Sequence, residues 1–369
     1  KLIEDNTKLF ILFADGTSTN GEDFLGGVQD INSTITISGG MAGDNGKHIQ
    51  TYIAYGNKVL KQGAVGVSLN SDVLQVHSDY NFDWTPIGLE HTIGKVEKNR
   101  LYSIDNMSAV NFYKKYIGAE LANALPSTGI EFPLMVKRNA TLVARATIGK
   151  YDDESLIFTG NFKTGEKVSL GFGNAENIIK NSLDKFHLIA AKPVESFFVY
   201  ICMARRRYLN NLMEVEIKSF ADRASVAGFF TYAEFFHKKD KHILMNQAFT
   251  VVSLSESMEA IKEISPQATK KISDFSKTIQ ALTHIINRTQ KDYVIQTQKV
   301  EKQKKYTQKI LNIQKKFIKN VVHETNTLLS VITHNIDLYD MKHSKDEHIS
   351  NIEIAMKNMF SLYRSEERR

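Results

Sequence analysis

The order of apolar and polar positions divides the chain into two textures. Through residue 258 the apolar residues come in short runs of strand length: KLFILFA, STITISGG, GAVGVSLN, FPLMV, ESLIFTG, EKVSLGFG, SFFVYICMA, VAGFFTYAEFF and NQAFTVVSLS. Turn-forming residues bound most of them, as they bound β-strands. Between these runs, SAVNFYKKYIGAELA and NAENIIKNSLDKF place apolar residues three and four apart, the period of an amphipathic helix. Strands and helices in alternation predict an α/β or α+β domain with mixed sheets over residues 1 to 258.

From residue 259 the period changes to seven. Ile272, Ile279, Ile286, Tyr293, Val300, Thr307, Gln314 and Val321 fall at heptad position a, with Phe275, Leu282, Thr289, Gln296, Gln303, Ile310 and Phe317 at d. The repeat predicts a coiled coil over residues 259 to 316. Its core positions turn polar from Thr289 to Gln314, a pattern that fits either a weak spacer or a segment that shifts register during signalling. Residues 317 to 369 then read as two amphipathic helices. FIKNVVHETNTLLSVITHN leads into the polar run DMKHSKDEH, and Ile349, Ile352, Met356, Met359 and Tyr363 follow at helical spacing. Such a hairpin would bury its apolar faces against a second copy in a dimeric four-helix bundle.

The chain has 369 residues, enough for two or three domains. Its net charge of +6 is uneven, because residues 262 to 320 hold fourteen Lys or Arg against four Asp or Glu. This basic stretch coincides with the heptads and has little aromatic interleaving, so it reads as a solvated coiled-coil face rather than a nucleic-acid track. Cys202 is the only cysteine, which excludes an intrachain disulfide and points to a reducing, cytoplasmic compartment. The most apolar window, HLIAAKPVESFFVYICMA, is broken by Lys192, Pro193 and Glu195, so neither a membrane span nor a signal peptide is expected. With Lys1 at the first position, the natural chain is expected to extend further at both ends.

His323 falls at position c, turned away from the heptad seam. A solvated imidazole there is a competent nucleophile in its neutral form, although a surface histidine needs no function. Thr327 lies one turn on along the same face, and Glu324 roughly 100° round the helix. Residues 317 to 332 resemble the phosphoacceptor box of sensor histidine kinases, matching at Phe317, His323, Glu324, Asn326, Thr327, Leu329 and Ile332. The resemblance implies that His323 is phosphorylated, that Glu324 is its acid-base partner, and that Thr327 supports dephosphorylation of a partner regulator. Leu328 departs from the pattern, standing where those kinases carry a proline that bends the helix. The clusters GGMAGDNG and GFGN lack the Lys-Ser/Thr ending of a phosphate-binding loop. ATP is therefore expected to act through a catalytic domain outside this sequence, the parent protein being a histidine protein kinase and this stretch its phosphate acceptor.

Residues 9 to 256 resemble the FIST family of bacterial sensory domains. The resemblance rests on FADGTSTNGEDFLGG, SGGMAGDN, LYSIDNMSAVNFYKKYIG, CMARRRYL, VAGFFTYAEFF and LMNQAFTVVSLSE, in that order. It implies a sensor of a small molecule such as an amino acid. For such a ligand, Arg205 or Arg206 would fork a carboxylate, Glu234 would accept from the amine, and Tyr232 and Asn246 would orient the molecule. The opposing reading sets residues 205 to 207 on a solvated turn and Tyr232 in the core. Some relatives bind haem; here Met245 precedes Asn246 where a histidine often stands, and methionine can ligate haem iron. His237 and His242 in HKKDKH sit among lysines without a third ligand, so no metal is expected there.

Together these readings predict a ligand sensor over residues 1 to 258, a coiled coil over 259 to 316 and a phosphotransfer hairpin over 317 to 369. The expected partners are a second copy, a response regulator receiver and a small ligand, without nucleic acid or membrane. Two alternatives stay open: a non-catalytic ligand-binding coiled-coil protein, and a haem-based nitric oxide sensor feeding the same hairpin.

Overall fold

The structure is a computed structural model that describes residues 2–138, 140–259, 274–340 and 347–367. Two compact units are present, Lys1–Gln290 and Lys291–Arg369.

The first unit is built on strand Thr7–Ala14, whose two faces are both buried. Phe10, Leu12 and Ala14 join one apolar cluster with Ile37, Phe235 and Leu244. Leu9 and Ile11, on the opposite face, join another with Tyr200, Val252 and Leu254. The two-residue period of a strand thus glues two layers together through one segment. In its own sheet Thr7–Ala14 is central, in the order His242–Met245, Ala233–His237, Ile37–Met41, Thr7–Ala14, Ala64–Asn70. The layer on its other face is a sheet of Ser225–Thr231, Ser196–Cys202, Phe249–Ser255 and Gln75–Asn81. Two further four-stranded sheets, one around Leu134–Arg138 and Lys167–Gly173 and the other around Leu156–Phe158, and two short two-stranded ribbons make up the rest of the described β-framework. The largest apolar cluster includes Phe112, Phe158, Phe197 and Phe249.

Both major sheets interleave distant parts of the chain. Gly40 and Met41 pair with Glu234 and Ala233, and Gln75–Asn81 pairs along its whole length with Phe249–Ser255.

Helix α1 (Gly21–Ile31) starts at Asn20, whose side chain accepts from the Glu22 and Asp23 amides at 3.1 Å each. The stretch SAVNFYKKYIGAELA, read above as one helix, forms two: α2 (Ala109–Ile117) and α3 (Ala119–Asn123). Gly118, at φ 88°, turns the chain out of the helical region between them. Helix α4 (Ala175–Ala190) precedes strand Ser196–Cys202, and α5 (Met203–Leu209) and α6 (Met213–Ala221) connect that strand to Ser225–Thr231. Another apolar run also divides: VAGFFTYAEFF gives Ser225–Thr231 in one sheet and Ala233–His237 in the other, with Tyr232 at the switch.

Helix α7 (Asp274–Asp340) continues without a break for 67 residues, and α8 (Glu347–Glu367) adds 21. Ile272 lies outside the described residues, as do the side chains of Phe275, Ile279 and Tyr363. Most of the polar run between the two helices also lies outside them. Among the described residues no helix is long and apolar enough to cross a membrane.

Candidate functional site

Two pairs of strands in the first unit run parallel: Thr7–Ala14 with Ile37–Met41, and Ser196–Cys202 with Ser225–Thr231. A cavity of ≈ 160 Å³ lies at the carboxyl ends of all four. Gly16 and Thr17 follow the first strand, Met41 closes the second, Cys202 and Met203 end the third, and Tyr232 follows the fourth. The carboxyl edge of parallel strands is where backbone leaves the sheet and loops diverge, so a crevice forms there without disturbing the core. Ile130, Ile148 and Phe158 supply apolar wall, and Asn246 and Gln247 complete it.

The loop after the first strand is held by a buried carboxylate. Asp15 accepts from the Ser18 amide and hydroxyl at 2.7 Å each, from the Thr19 hydroxyl at 2.5 Å and from the Gly63 amide at 3.0 Å. Burial alone would raise its pKa, but these hydrogen bonds overcome that and hold it at about 2. Gly16 is required by close approach, because a Cβ there would stand 2.0 Å from the Ala42 carbonyl oxygen.

The glycine-rich run GGMAGDNG forms the opposite lip, and Asp44 is its hub. The carboxylate accepts from the His48, Ile49 and Gln50 amides at 2.9, 2.7 and 3.1 Å, and from the Tyr232 hydroxyl. Burial again opposes ionisation, but the hydroxyl and amide donors prevail and keep Asp44 far below the usual carboxylate range. The Tyr232 oxygen in turn accepts from the Gly46 amide at 2.9 Å, and the His48 ring stacks on Tyr232 with centroids 4.4 Å apart. Arg207 Nη2 donates to the Asn45 carbonyl at 3.1 Å. Asn45, Gly46 and His48 all hold positive φ, so the lip keeps its shape through these latches rather than through regular structure. His48, displaced downward by burial and by the Arg207 charge despite the opposing pull of Asp44, favours the neutral imidazole.

Of the five ligand residues expected from sequence, the structure brings Tyr232 and Asn246 to the cavity wall. Arg205 is elsewhere: fully buried, it pairs with Glu216 at 2.7 Å and belongs to the core. Arg206 is exposed on α5, its guanidinium 4.4 Å from the Phe230 ring centroid. The guanidinium that lines the cavity is that of Arg207, one residue further on, because α5 turns successive side chains by about 100°. Glu234 is fully buried outside the cavity lining, with Oε1 accepting from Thr231 at 2.6 Å. Burial pushes its pKa well up, which favours the neutral acid and removes it as a partner for an amine. Asn246 is itself engaged, its Oδ1 accepting from Arg145 at 2.8 Å and its Nδ2 donating to the Tyr232 carbonyl at 3.3 Å. Arg145 also pairs with Glu22, tying α1 to this corner.

Met245 is fully buried in the largest core cluster and does not line the cavity. The methionine expected as an iron ligand is therefore not presented to this cavity. His237 and His242 face each other across a strand pair, with ring centroids 5.4 Å apart. Among the described residues no cluster of three or more His, Cys, Asp or Glu is placed to hold a metal ion.

In the second unit His323, Glu324 and Thr327 are all exposed. The Thr327 hydroxyl donates to the His323 carbonyl at 2.9 Å, leaving its oxygen lone pairs outward. Helix α7 passes through Leu328 without interruption. Val322 and Leu329 on α7 and Met356 on α8 are buried, whereas the heptad positions Phe317 and Val321 are exposed, at 67% and 40%. The buried stripe is therefore offset by one residue from the predicted seam. Leu328, Val331, Ile332, Ile352 and Met359 extend the exposed apolar surface.

Comparison with known families matches residues 1–107 to the FIST N domain and residues 109–237 to the FIST C domain. The wall from Gly16 to Asn99 comes from the first stretch and that from Ile130 to Ala233 from the second. No curated protein matches the chain.

Proposed function

From the premise that this is a FIST-domain chain, and that FIST domains are sensory domains of signal transduction, we propose that it is the sensory and phosphoacceptor part of a cytoplasmic two-component histidine kinase. A small ligand enters the cavity between the FIST N and FIST C stretches, and its occupancy controls phosphorylation of His323. The observation that carries the kinase half is the exposed His323–Glu324 pair with Thr327 one turn on, set in a two-helix unit that leaves a second apolar stripe open. That stripe suits a second copy of the same hairpin.

In this reading a neutral imidazole nitrogen of His323 attacks the γ-phosphorus of ATP held by a catalytic domain. A nitrogen–phosphorus bond forms as the bridging phosphorus–oxygen bond breaks and ADP leaves. Glu324 steadies the imidazole tautomer and takes up the proton. The phosphoryl group then passes to an aspartate of a response regulator receiver, and Thr327 supports its later hydrolysis. Supplying ATP with a related catalytic domain is expected to give an acid-labile label on the wild-type chain and none on His323→Gln. An unlabelled wild type would instead favour a non-catalytic sensor that dimerises through α7.

A further inference from the structure

One guanidinium reaches the cavity with no carboxylate to answer it. Arg207 lines the cavity and is exposed, so it stands where the cavity meets solvent. The lip places its head. Nη2 donates to the Asn45 carbonyl at 3.1 Å, and a Cβ on Gly46 would stand 2.6 Å from Cζ. The guanidinium therefore lies against the bare Cα of Gly46, which itself lines the cavity. Among the described residues no Asp or Glu forms an ion pair with Arg207, and the bond to Asn45 occupies a single N–H. The other formal charges near the wall are spent. Arg145 pairs with Glu22 and Arg205 with Glu216. Asp15 and Asp44 lie outside the lining, each enclosed by its own hydrogen-bond donors. Within the wall, burial pushes the Cys202 and Tyr232 pKa values up, so both stay protonated, and His48 favours the neutral imidazole. Among the described residues the wall contains no Asp, Glu or Lys.

We infer that the ligand is a monocarboxylic acid without a free ammonium group, its carboxylate forked by Arg207 at the mouth and its apolar body set against Met41, Ile130, Ile148 and Phe158. The inference rests on the cavity being the ligand site. A guanidinium carries its N–H donors in a planar fork, and the bond to Asn45 leaves one two-donor edge free for a carboxylate. One cation matches one negative charge, whereas a phosphate ester would bring about −1.5 to −2. The ammonium of an amino acid has nothing to receive it. Glu234, the acceptor expected for it, is outside the lining and favours its neutral form. An ammonium drawn from water without a counter-ion is penalised, while an apolar chain in its place is not.

Four probes on one branched skeleton test this: isocaproate, its neutral amide isocaproamide, leucine, which adds only the ammonium, and isopentyl phosphate. Titration calorimetry on the whole chain is expected to show isocaproate bound about tenfold more tightly than each of the other three. Arg207→Gln should bring acid and amide within about twofold by weakening the acid, with thermal unfolding unchanged. Arg207→Lys, which keeps the charge and loses the fork, should fall between. If Arg207→Gln fails to fold, the wild-type ranking still decides. Amide or leucine bound as tightly as the acid, tighter binding of the phosphate, or an acid preference that survives Arg207→Gln overturns the proposal and leaves the cavity as the ligand site. No binding of any probe overturns both. Binding is read apart from phosphorylation, so a failure of the His323 assay leaves the result standing.

Discussion

Replacing Tyr232 by phenylalanine removes one oxygen atom from the cavity lip and leaves the ring in place. The lost hydroxyl donates to Asp44 and accepts from the Gly46 amide at 2.9 Å, while the stack on His48, at 4.4 Å, survives. A hydrogen bond to a charged acceptor contributes about 1.5–3 kcal/mol and a neutral one about 0.5–1.5, but the lip is partly exposed and water replaces much of both. The closed lip should therefore lose about 1.5 kcal/mol, which raises the open population roughly tenfold. Amide hydrogen exchange is the direct assay. Exchange at Ile49 and Gln50, whose amides donate to Asp44 at 2.7 and 3.1 Å, should accelerate about tenfold in Tyr232→Phe, and further in Tyr232→Ala, which also loses the stack. The pH dependence has a definite sign. Asp44 is depressed in the folded state, so its contribution is complete above the ordinary carboxylate range and is lost as pH falls towards the folded value. Without the hydroxyl that value rises, and acid opening begins at a higher pH. Exchange at Ile49 and Gln50 that stays within twofold of wild type would refute the latch.

Three further outcomes follow from the same geometry. Arg205→Gln strands the buried Glu216 and should destabilise the first unit by about 3–5 kcal/mol in urea unfolding, whereas Arg207→Gln, at an exposed position, should leave stability within about 0.5 kcal/mol. Asp15 has its pKa lowered from 3.8 to about 2, so it stabilises the fold above pH 4 and loses that contribution as pH falls to about 2; Asp15→Asn should flatten this part of the acid-unfolding curve. Gly16→Ala drives a Cβ against the Ala42 carbonyl and should cost more than about 1–3 kcal/mol in thermal unfolding, because the clash is with backbone that cannot repack.

Short apolar runs bounded by turn residues made the strands legible, and SFFVYICMA and NQAFTVVSLS fall where the strands Ser196–Cys202 and Phe249–Ser255 lie. What periodicity could not supply was sheet membership. VAGFFTYAEFF has no turn residue at its middle, yet the chain changes sheets at Tyr232, because Ala233 pairs with Met41 while Thr231 pairs with Cys202. The same long-range pairing decided the ligand residues. Three adjacent arginines are equivalent in sequence, and only the direction of α5 assigns Arg205 to the core, Arg206 to solvent and Arg207 to the cavity. Gln247 carried no sequence signal, since a lone glutamine after a strand resembles any turn residue until its place in the cavity wall is seen. Asp15 had a fainter one: an Asp-Gly followed by Thr, Ser, Thr and Asn is a run that can bond back to its own carboxylate.

The interleaving of the two large sheets constrains how the protein can be made. Strand Gln75–Asn81 has its partner in Phe249–Ser255, and Ile37–Met41 has one neighbour in Ala233–His237. On a ribosome adding about 5–20 residues per second, the first hundred residues would wait on the order of 10 s with open strand edges before those partners emerged. Nascent FIST N sequence therefore exposes unpaired strand edges during that interval, and a stalled or truncated product lacking the last strand should be degraded or aggregate rather than persist as a folded half.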